Sequence, residues 1–247
     1  MPAEHESMPD HARQRDADAN RNSARRVILV VPCFNEAVRL DSDAFSSALV
    51  RMEWLDLIFV NDGSTDDTAG VLERLRVRHP ERVRVLDLPH NLGKAEAVRR
   101  GLQRANEAAV ADRAEAGAPV TLCGFWDADL SAPLDELRGM RRVFTEHPHV
   151  EWVWGVRLRS LGRQVTRHAS RHYLGRVFAT VASVVVSLPI YDSQCGAKLF
   201  RSGELLAAVI STPFASRWIF DVELVARGAR VCGRDQLSRL VREHPLD

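Results

Sequence analysis

Cysteine is scarce in this sequence, and no cysteines form a paired motif. The four cysteines among 247 residues lie far apart, at Cys33, Cys123, Cys195 and Cys232. No two of them form a C-x-x-C pair, which argues against a zinc ribbon or a disulfide framework. Each lies in or beside an apolar run, so the sequence predicts buried thiols in a reducing compartment.

Long apolar stretches are also absent. The longest, residues 177–190, contains small polar residues and is shorter than the roughly 20 residues that a bilayer-spanning helix needs. The first 26 residues have almost no large apolar side chains and therefore no signal-peptide core. We expect a disordered polar tail at 1–25, then one folded domain at 26–247 with no transmembrane helix.

Neither sign of charge is in excess. The 34 Lys and Arg residues balance 33 Asp and Glu residues, for a formal net charge of +1. Overall charge therefore gives no indication of non-specific nucleic-acid binding, and no nucleic-acid partner is expected. Apolar residues make up 45% and charged residues 27% of the chain, which is typical of a globular domain.

Short apolar runs alternate with helical patterns along the chain. Strands are predicted at 27–31, 57–60, 83–88, 120–126 and 150–156. Helices are predicted at 41–52, 65–78, 93–106 and 133–144, with a long basic helix at 164–187. Ser64 or Thr65 is the expected N-cap of the second helix, and Pro133 the first-turn residue of the fourth. This order predicts an α/β fold with a mainly parallel central sheet.

Polar turns follow the first four predicted strands. They are Pro32–Glu36, Asn61–Ser64, His90–Lys94 and Asp127–Asp129. Ligands of such sheets bind beyond the carboxyl ends of the strands, where these turns meet. Because strand-end turns often hold polar residues for capping alone, none of the four identifies a site by itself.

The most informative of these turns contains two aspartates. Asp127 and Asp129 are two residues apart on an extended chain, so their carboxylates point the same way. Two such charges repel each other unless a cation lies between them. Carboxylate oxygens suit Mg²⁺ or Mn²⁺, which usually share their coordination with substrate phosphates. The alternative is that Asp129 caps the helix near Pro133 while Asp127 is solvated.

In order and spacing, these four turns resemble those of glycosyltransferase family 2. The segments Asp192–Phe200 and Arg217–Leu224 strengthen the match, and with Asp127–Pro133 they resemble its dolichyl-phosphate glucosyltransferase and polyprenyl-phosphate mannosyltransferase branch. The resemblance covers residues 26–245. It implies a GT-A fold, which is Rossmann-like and typical of nucleotide-diphospho-sugar transferases. It also implies an inverting, metal-dependent hexosyltransferase acting from UDP-glucose or GDP-mannose onto a polyprenyl or dolichyl phosphate.

The resemblance further implies roles for single residues around the nucleotide. Pro32, Asn35 and Glu36 would line the nucleotide pocket, and Asp62 would hydrogen-bond the base. The family's turn reads D-D-G-S at this point, and Asn61 is a departure at its first position.

Around the diphosphate, the resemblance implies a metal site. Lys94 would lie near the phosphates, while Asp127 and Asp129 would bind the diphosphate through Mg²⁺ or Mn²⁺, with Asp129 also counted as catalytic. The metal and Lys94 would then neutralise charge on the departing diphosphate.

A basic stretch without acidic residues follows the fifth predicted strand. Its arginines are Arg157, Arg159, Arg163, Arg167, Arg171 and Arg176. Like charges four residues apart destabilise an isolated helix, so an anion such as phosphate is expected to compensate. A basic stretch followed by the apolar residues 177–190 is typical of a segment that binds an anionic membrane surface. The alternative is that the basic residues form a solvent-exposed helix face and the apolar residues form a core helix. By the resemblance, Arg157 and Arg171 bind the acceptor phosphate, with Arg167 as the alternative to Arg171.

The acceptor decides whether a catalytic base is needed. A phosphate oxygen is already anionic, whereas a hydroxyl acceptor would need a carboxylate such as Asp221 or Glu223. Asp221 is our assigned catalytic residue, and its alternative role is structural, either as a helix cap or in a bond to Arg217. Two other functions stay open: a family 2 enzyme acting on a sugar hydroxyl, and a non-catalytic nucleotide-sugar-binding protein.

The surroundings of the protein are also predicted. In the family the chain continues past the segment Glu243–Leu246, so the end at Asp247 leads us to expect a truncated C-terminus. A polyprenyl-phosphate acceptor implies a cytoplasmic protein, peripheral at the cytoplasmic face of a membrane. The sequence does not predict an oligomeric state.

Overall fold

The structure, a computed structural model, describes residues 26–113, 120–157 and 192–246. The predicted tail at 1–25, the basic helix at 164–187 and both Arg167 and Arg171 lie outside the described residues. Arg157 and all of the other assigned site residues lie within them.

The described residues contain a seven-stranded mixed sheet in the order β3-β2-β1-β4-β6-β5-β7. The strands are β1 Val27–Cys33, β2 Leu55–Asn61, β3 Val83–Asp87, β4 Leu122–Trp126, β5 Trp152–Val156, β6 Ala197–Arg201 and β7 Val241–Pro245. The first four strands pair in parallel, β6 runs antiparallel to both β4 and β5, and β5 pairs in parallel with β7. The predicted α/β fold with a mainly parallel sheet is confirmed.

Helices cover both faces of this sheet. They are α1 Ser42–Arg51, α2 Thr68–Arg78, α3 Lys94–Arg113, α4 Glu136–Glu146, α5 Glu204–Val209, α6 Phe220–Cys232 and α7 Arg234–Leu240. Across the described ranges, no helix has the length and apolar character needed to span a bilayer.

Alternate residues of β1 belong to two separate cores. Val27, Leu29 and Val31 pack with the buried side chains of α1, α2 and α4 on one face. Ile28 and Val30 pack with those of α3, α5, α6 and α7 on the other. Because β1 is buried on both faces, its sequence is a continuous apolar run and not an alternation of apolar and polar residues.

Two helix starts differ from the prediction. Helix α2 begins at Thr68, because Ser64 and Thr65 hydrogen-bond to the turn after β1 and do not cap the helix. Helix α4 begins at Glu136, and Pro133 lies in the preceding turn, where its carbonyl accepts a bond from the Glu136 amide. Helix α3 continues to Arg113, beyond its predicted end at residue 106.

The cysteine prediction holds at three of its four positions. Cys33, Cys123 and Cys195 are buried, and burial raises the pKa of each thiol above its usual range. Cys232, near the end of α6, is only half-buried. Buried neutral thiols of this kind act as small apolar side chains.

Candidate active site

The turns after β1 and β2 are joined by side-chain hydrogen bonds. The Asn35 amide donates to Ser64 Oγ over 3.0 Å, and the Thr65 amide donates to Asn35 Oδ1 over 2.9 Å. Asn35 has φ +53°, a left-handed conformation that asparagine adopts more readily than most residues. Half-buried Pro32 lies just before, in register with Val60. The two turns therefore form one continuous rim at the carboxyl edge of the sheet.

Glu36 lies in this rim, close enough to Asp129 for the charge of that carboxylate to act on it. Its Oε1 atom accepts a hydrogen bond of 2.7 Å from Arg39, while its buried Oε2 atom has no hydrogen-bond partner among the described residues. Burial raises the pKa of Glu36, and the charges of Asp129 and Asp66 act in the same direction, against the lowering effect of Arg39. The site thus concentrates negative charge near Asp129.

Asp62 is 2% exposed, and both of its carboxylate oxygens are engaged. Oδ1 accepts from the Leu92 amide over 2.7 Å, and Oδ2 accepts from the Gly93 amide over 2.9 Å. These bonds hold the turn after β3, which immediately precedes Lys94. In this structure Asp62 therefore positions the lysine turn, and the hydrogen bond to a base stays a prediction.

The contact between Asn61 and Asp87 accounts for the asparagine at position 61, where the family pattern has aspartate. Its Nδ2 atom donates to Asp87 Oδ1 over 2.8 Å, and its Oδ1 atom accepts from the Ser64 amide over 3.2 Å. An aspartate at position 61 would place a second carboxylate against Asp87. The amide avoids that repulsion and links the ends of β2 and β3.

Lys94 and Asp127 form the ion pair at the centre of the site. Lys94 is the first residue of α3, and its Nζ atom lies 2.5 Å from Asp127 Oδ1. The Asp127 amide donates to the Gly196 carbonyl over 3.0 Å. A Cβ atom at Gly196 would overlap the Asp127 carboxylate. The aspartate is therefore fixed between a helix start and the segment that leads into β6.

Asp129 lies in the same turn and is exposed. Its Oδ1 atom accepts from the Ser131 amide over 3.0 Å, so it closes its own turn and does not cap α4. Leu130 has φ +50°, which is rare for a branched side chain and is found most often at functional sites. Asp127 is not simply solvated either, since it contacts Lys94. Neither half of the alternative interpretation of this turn matches the structure.

The residues of the turn fit a divalent cation that is completed by a ligand. Within the described ranges, no three His, Cys, Asp or Glu side chains group as a metal cluster. Mg²⁺ is commonly held by only one or two carboxylates together with substrate phosphates. Asp127 and Asp129 supply such carboxylates, and the Lys94 ammonium already balances part of the negative charge of Asp127.

Arg217 braces the lysine turn from outside, a contact that the sequence did not predict. Its Nε atom donates to the Leu92 carbonyl over 3.1 Å, and one terminal nitrogen donates to Asn91 Oδ1 over 2.7 Å. A side chain at Gly93, where φ is +96°, would meet Arg217 at 2.8 Å. The two predicted structural alternatives for Asp221, a helix cap and a bond to Arg217, are wrong, because Asp221 is inside the helix without a capping bond and each residue has a different partner.

The partner of Asp221 is Lys198, a fully buried lysine of β6 that sequence reasoning missed. Lys198 Nζ lies 2.7 Å from Asp221 Oδ1 and donates to the carbonyls of Ser193 and Cys195 over 3.0 and 2.5 Å. Burial raises the pKa of Asp221, and Lys198 opposes that rise. Asp221 is 5% exposed, so its carboxylate lies inside the protein, where the charges of Lys94 and Asp127 also act on it.

Glu223, the other candidate base, is also engaged. Its Oε1 atom lies 2.7 Å from a terminal nitrogen of Arg227, and its Oε2 atom accepts from the Ala215 amide over 2.8 Å. These contacts join α6 to the loop before it, so both carboxylate oxygens of Glu223 already have structural partners.

Arg157, assigned to the acceptor phosphate, forms a bidentate ion pair with Asp192. Its Nε and terminal nitrogen lie 2.8 and 3.2 Å from the two Asp192 oxygens. Burial opposes ionisation of Asp192, yet Arg157 and Lys198 hold the pKa of its carboxyl below the usual value. Arg157 thus has a protein partner beside the site.

Comparison with known proteins shows which family this chain resembles. The profile of "Glycosyl transferase family 2" matches residues 28–203. The dolichyl-phosphate beta-glucosyltransferase of Trichomonas vaginalis is 29% identical over 209 residues, covering 79% of this chain and 57% of that protein. The Drosophila melanogaster dolichyl-phosphate beta-glucosyltransferase is 30% identical, covering 80% of this chain and 60% of that protein. The chain thus spans about six-tenths of the length of these relatives.

Solved structures match the architecture. Glucosyl-3-phosphoglycerate synthase from Mycobacterium tuberculosis, in complex with Mn²⁺, UDP-glucose and phosphoglyceric acid, superposes with a TM-score of 0.64 at 17% identity. The match covers 92% of this chain and 72% of that one. At this identity the likeness concerns the fold, which is GT-A in both. From the profile, the relatives and the architecture together, the chain belongs to glycosyltransferase family 2.

Proposed function

We propose that this protein is an inverting hexosyltransferase that moves glucose from UDP-glucose to a polyprenyl phosphate with Mg²⁺ or Mn²⁺. The observation that carries the proposal is the Lys94–Asp127 pair, packed on Gly196 at the carboxyl edge of the sheet. The curated relatives support the glucosyl group and the lipid-phosphate acceptor, since they are named dolichyl-phosphate beta-glucosyltransferases. GDP-mannose, the other predicted donor, has no such support.

Each residue of the pair has a separate task. Asp127 and Asp129 would hold the metal, which when bound supplies Lewis-acid stabilisation of the departing diphosphate. Lys94 adds a fixed positive charge beside it. The start of the 20-residue helix α3 adds the partial positive charge of a helix N-terminus. Charge developing on the leaving group thus meets a prearranged positive field.

The nucleoside is assigned to the rim formed by the turns after β1 and β2. Pro32, Asn35 and Glu36 would line it, held by the Asn35 bonds to Ser64 and Thr65. Asp62 would contact the base through the second lone pair of an oxygen that already accepts a backbone amide.

The acceptor side favours a phosphate over a hydroxyl. A hydroxyl acceptor needs a base, yet Asp221 is buried against Lys198 and Glu223 bonds Arg227 and Ala215. A phosphate oxygen needs no base. Arg157, oriented by Asp192, would receive that phosphate together with Arg171 or Arg167. A lipid-linked acceptor would place the protein at a membrane surface.

A donor and acceptor panel tests the proposal. Purified protein is incubated with UDP-glucose or GDP-mannose, with Mn²⁺ or EDTA, and with a short-chain polyprenyl phosphate or free sugars. We expect UDP release with UDP-glucose, Mn²⁺ and the polyprenyl phosphate together, and none with EDTA. Turnover with a free sugar would establish the hydroxyl-acceptor function instead. Metal-dependent UDP binding without release from any donor would identify a non-catalytic binder.

A further inference from the structure

Beneath the aspartate turn lies a buried cation that contacts no solvent. Lys198 is 0% exposed, and its Nζ atom lies 4.6 Å from the Trp154 ring centroid and 5.2 Å from that of Phe125. Burying an ammonium group is costly unless it is paired and fully hydrogen-bonded. An apolar side chain would fill this space without that cost, so the charge calls for a further explanation.

The contacts of this lysine lead directly to Asp127. Lys198 Nζ donates to the carbonyls of Ser193 and Cys195 and thereby fixes the short segment that ends at Gly196. The Gly196 carbonyl accepts from the Asp127 amide, and its α-carbon lies against the Asp127 carboxylate. One buried ammonium therefore determines the surface on which the proposed metal ligand rests.

We propose that Lys198 is a positioning residue for transfer, which acts through Gly196 to fix the Asp127 carboxylate in its metal-binding orientation. Asp221 balances the lysine charge from the first turn of α6 and so connects that helix to the same turn. This inference rests on the proposed function, because it assigns a supporting group to that metal site. Groups that orient metal ligands typically change metal affinity or activity by about 10–100-fold when they are lost.

The test must separate positioning from stability. Lys198→Met alone leaves Asp221 buried without its partner, which can prevent folding. The double variant Lys198→Met/Asp221→Asn removes the charges and the carbonyl bonds together, and it is the variant to be measured. The matched control is Arg201→Met, on the same strand. Arg201 is also a buried cation bonded to carbonyls, those of Phe144, Pro148 and Val150, but it lies at the opposite end of β6.

Four quantities are measured: the melting temperature, the Mn²⁺ dissociation constant with UDP present by calorimetry, UDP affinity with EDTA, and kcat from UDP release. In the double variant we expect Mn²⁺ affinity and kcat to fall by about 10-fold or more, with metal-free UDP affinity unchanged. Arg201→Met should lower the melting temperature without changing Mn²⁺ affinity.

Unchanged Mn²⁺ affinity and kcat in the folded double variant would overturn the positioning role. So would an equal loss in Arg201→Met, because the effect would then follow stability alone. Absence of Mn²⁺–UDP binding in the wild-type protein would instead count against the proposed function. The two failures are therefore distinguishable.

Discussion

Lys94 and Asp127 come from different elements, yet their side chains meet, with Nζ 2.5 Å from Oδ1. The lysine begins α3 and the aspartate follows β4, so the pair forms only when β1 brings β2 and β4 to its two sides. The contact puts one positive charge directly beside the carboxylate that we assign to the metal. Removing either charge should therefore affect the diphosphate more than the nucleoside.

Asp127→Asn should lower kcat and Mn²⁺ affinity by at least the roughly 10–100-fold that is typical for loss of a group supporting a metal ligand, because the amide keeps the shape but loses the charge. UDP release assays and calorimetry measure the two effects. Asp135→Asn is the control, since Asp135 is an exposed partner of Arg51 at the start of α4. Full activity in Asp127→Asn would contradict the assigned metal site.

Gly196→Ala should disturb the same carboxylate from the opposite side. The added methyl group would overlap the Asp127 carboxylate, so the aspartate or the β6 segment must shift. We expect a loss of Mn²⁺ affinity of roughly 10-fold or more. Gly203→Ala is the comparison, because its φ of +141° disfavours a side chain although no atom lies within 4 Å. It should cost stability while leaving Mn²⁺ affinity intact.

Asn61→Asp should destabilise the protein near neutral pH, because two carboxylates would then face each other at the ends of β2 and β3. Urea unfolding should show a loss of about 1 kcal/mol, the size of one lost hydrogen bond. Adding Asp87→Asn should restore most of it. A double variant that is no more stable than Asn61→Asp would show that Asp87 is not the source of the effect.

Asp192→Asn should make the free energy of unfolding less dependent on pH in the acidic range. The pKa of Asp192 is lower in the folded chain than its ordinary value of 3.8, so the unfolded chain binds more protons in acid. The stabilisation by Arg157 is therefore present above pH 3.8 and is lost as the pH falls through the folded pKa. Urea unfolding should show the wild type more stable than the variant by about 2 kcal/mol at pH 7, with the difference shrinking as the pH falls below 3.8.

The sequence predicted what depends on short-range pattern. The β-branched run of β1, the acidic and basic turns and their meeting at one edge of the sheet follow from periodicity and from the geometry of parallel strands. Helix starts were less accurate, because Ser64 and Thr65 bond to Asn35 and not to their own helix.

The missed features all depend on register between distant segments. The Lys198–Asp221 and Arg157–Asp192 pairs form only after β6 enters the sheet antiparallel between β4 and β5. No local pattern distinguishes a buried lysine on a strand from an exposed one. The segments that contain Asp192, Lys198 and Asp221 resemble those of the family, but their pairing follows only from the fold.

Strand β1 contributes every side chain from Val27 to Val31 to one core or the other, and none of them is exposed. The next residues change character abruptly, and Phe34 is already 42% exposed. Within a few positions, the chain therefore passes from residues that form the core to residues that we assign to the substrate. A protein organised in this way can evolve a new donor or acceptor preference by exchanging rim residues, with little loss of folding free energy.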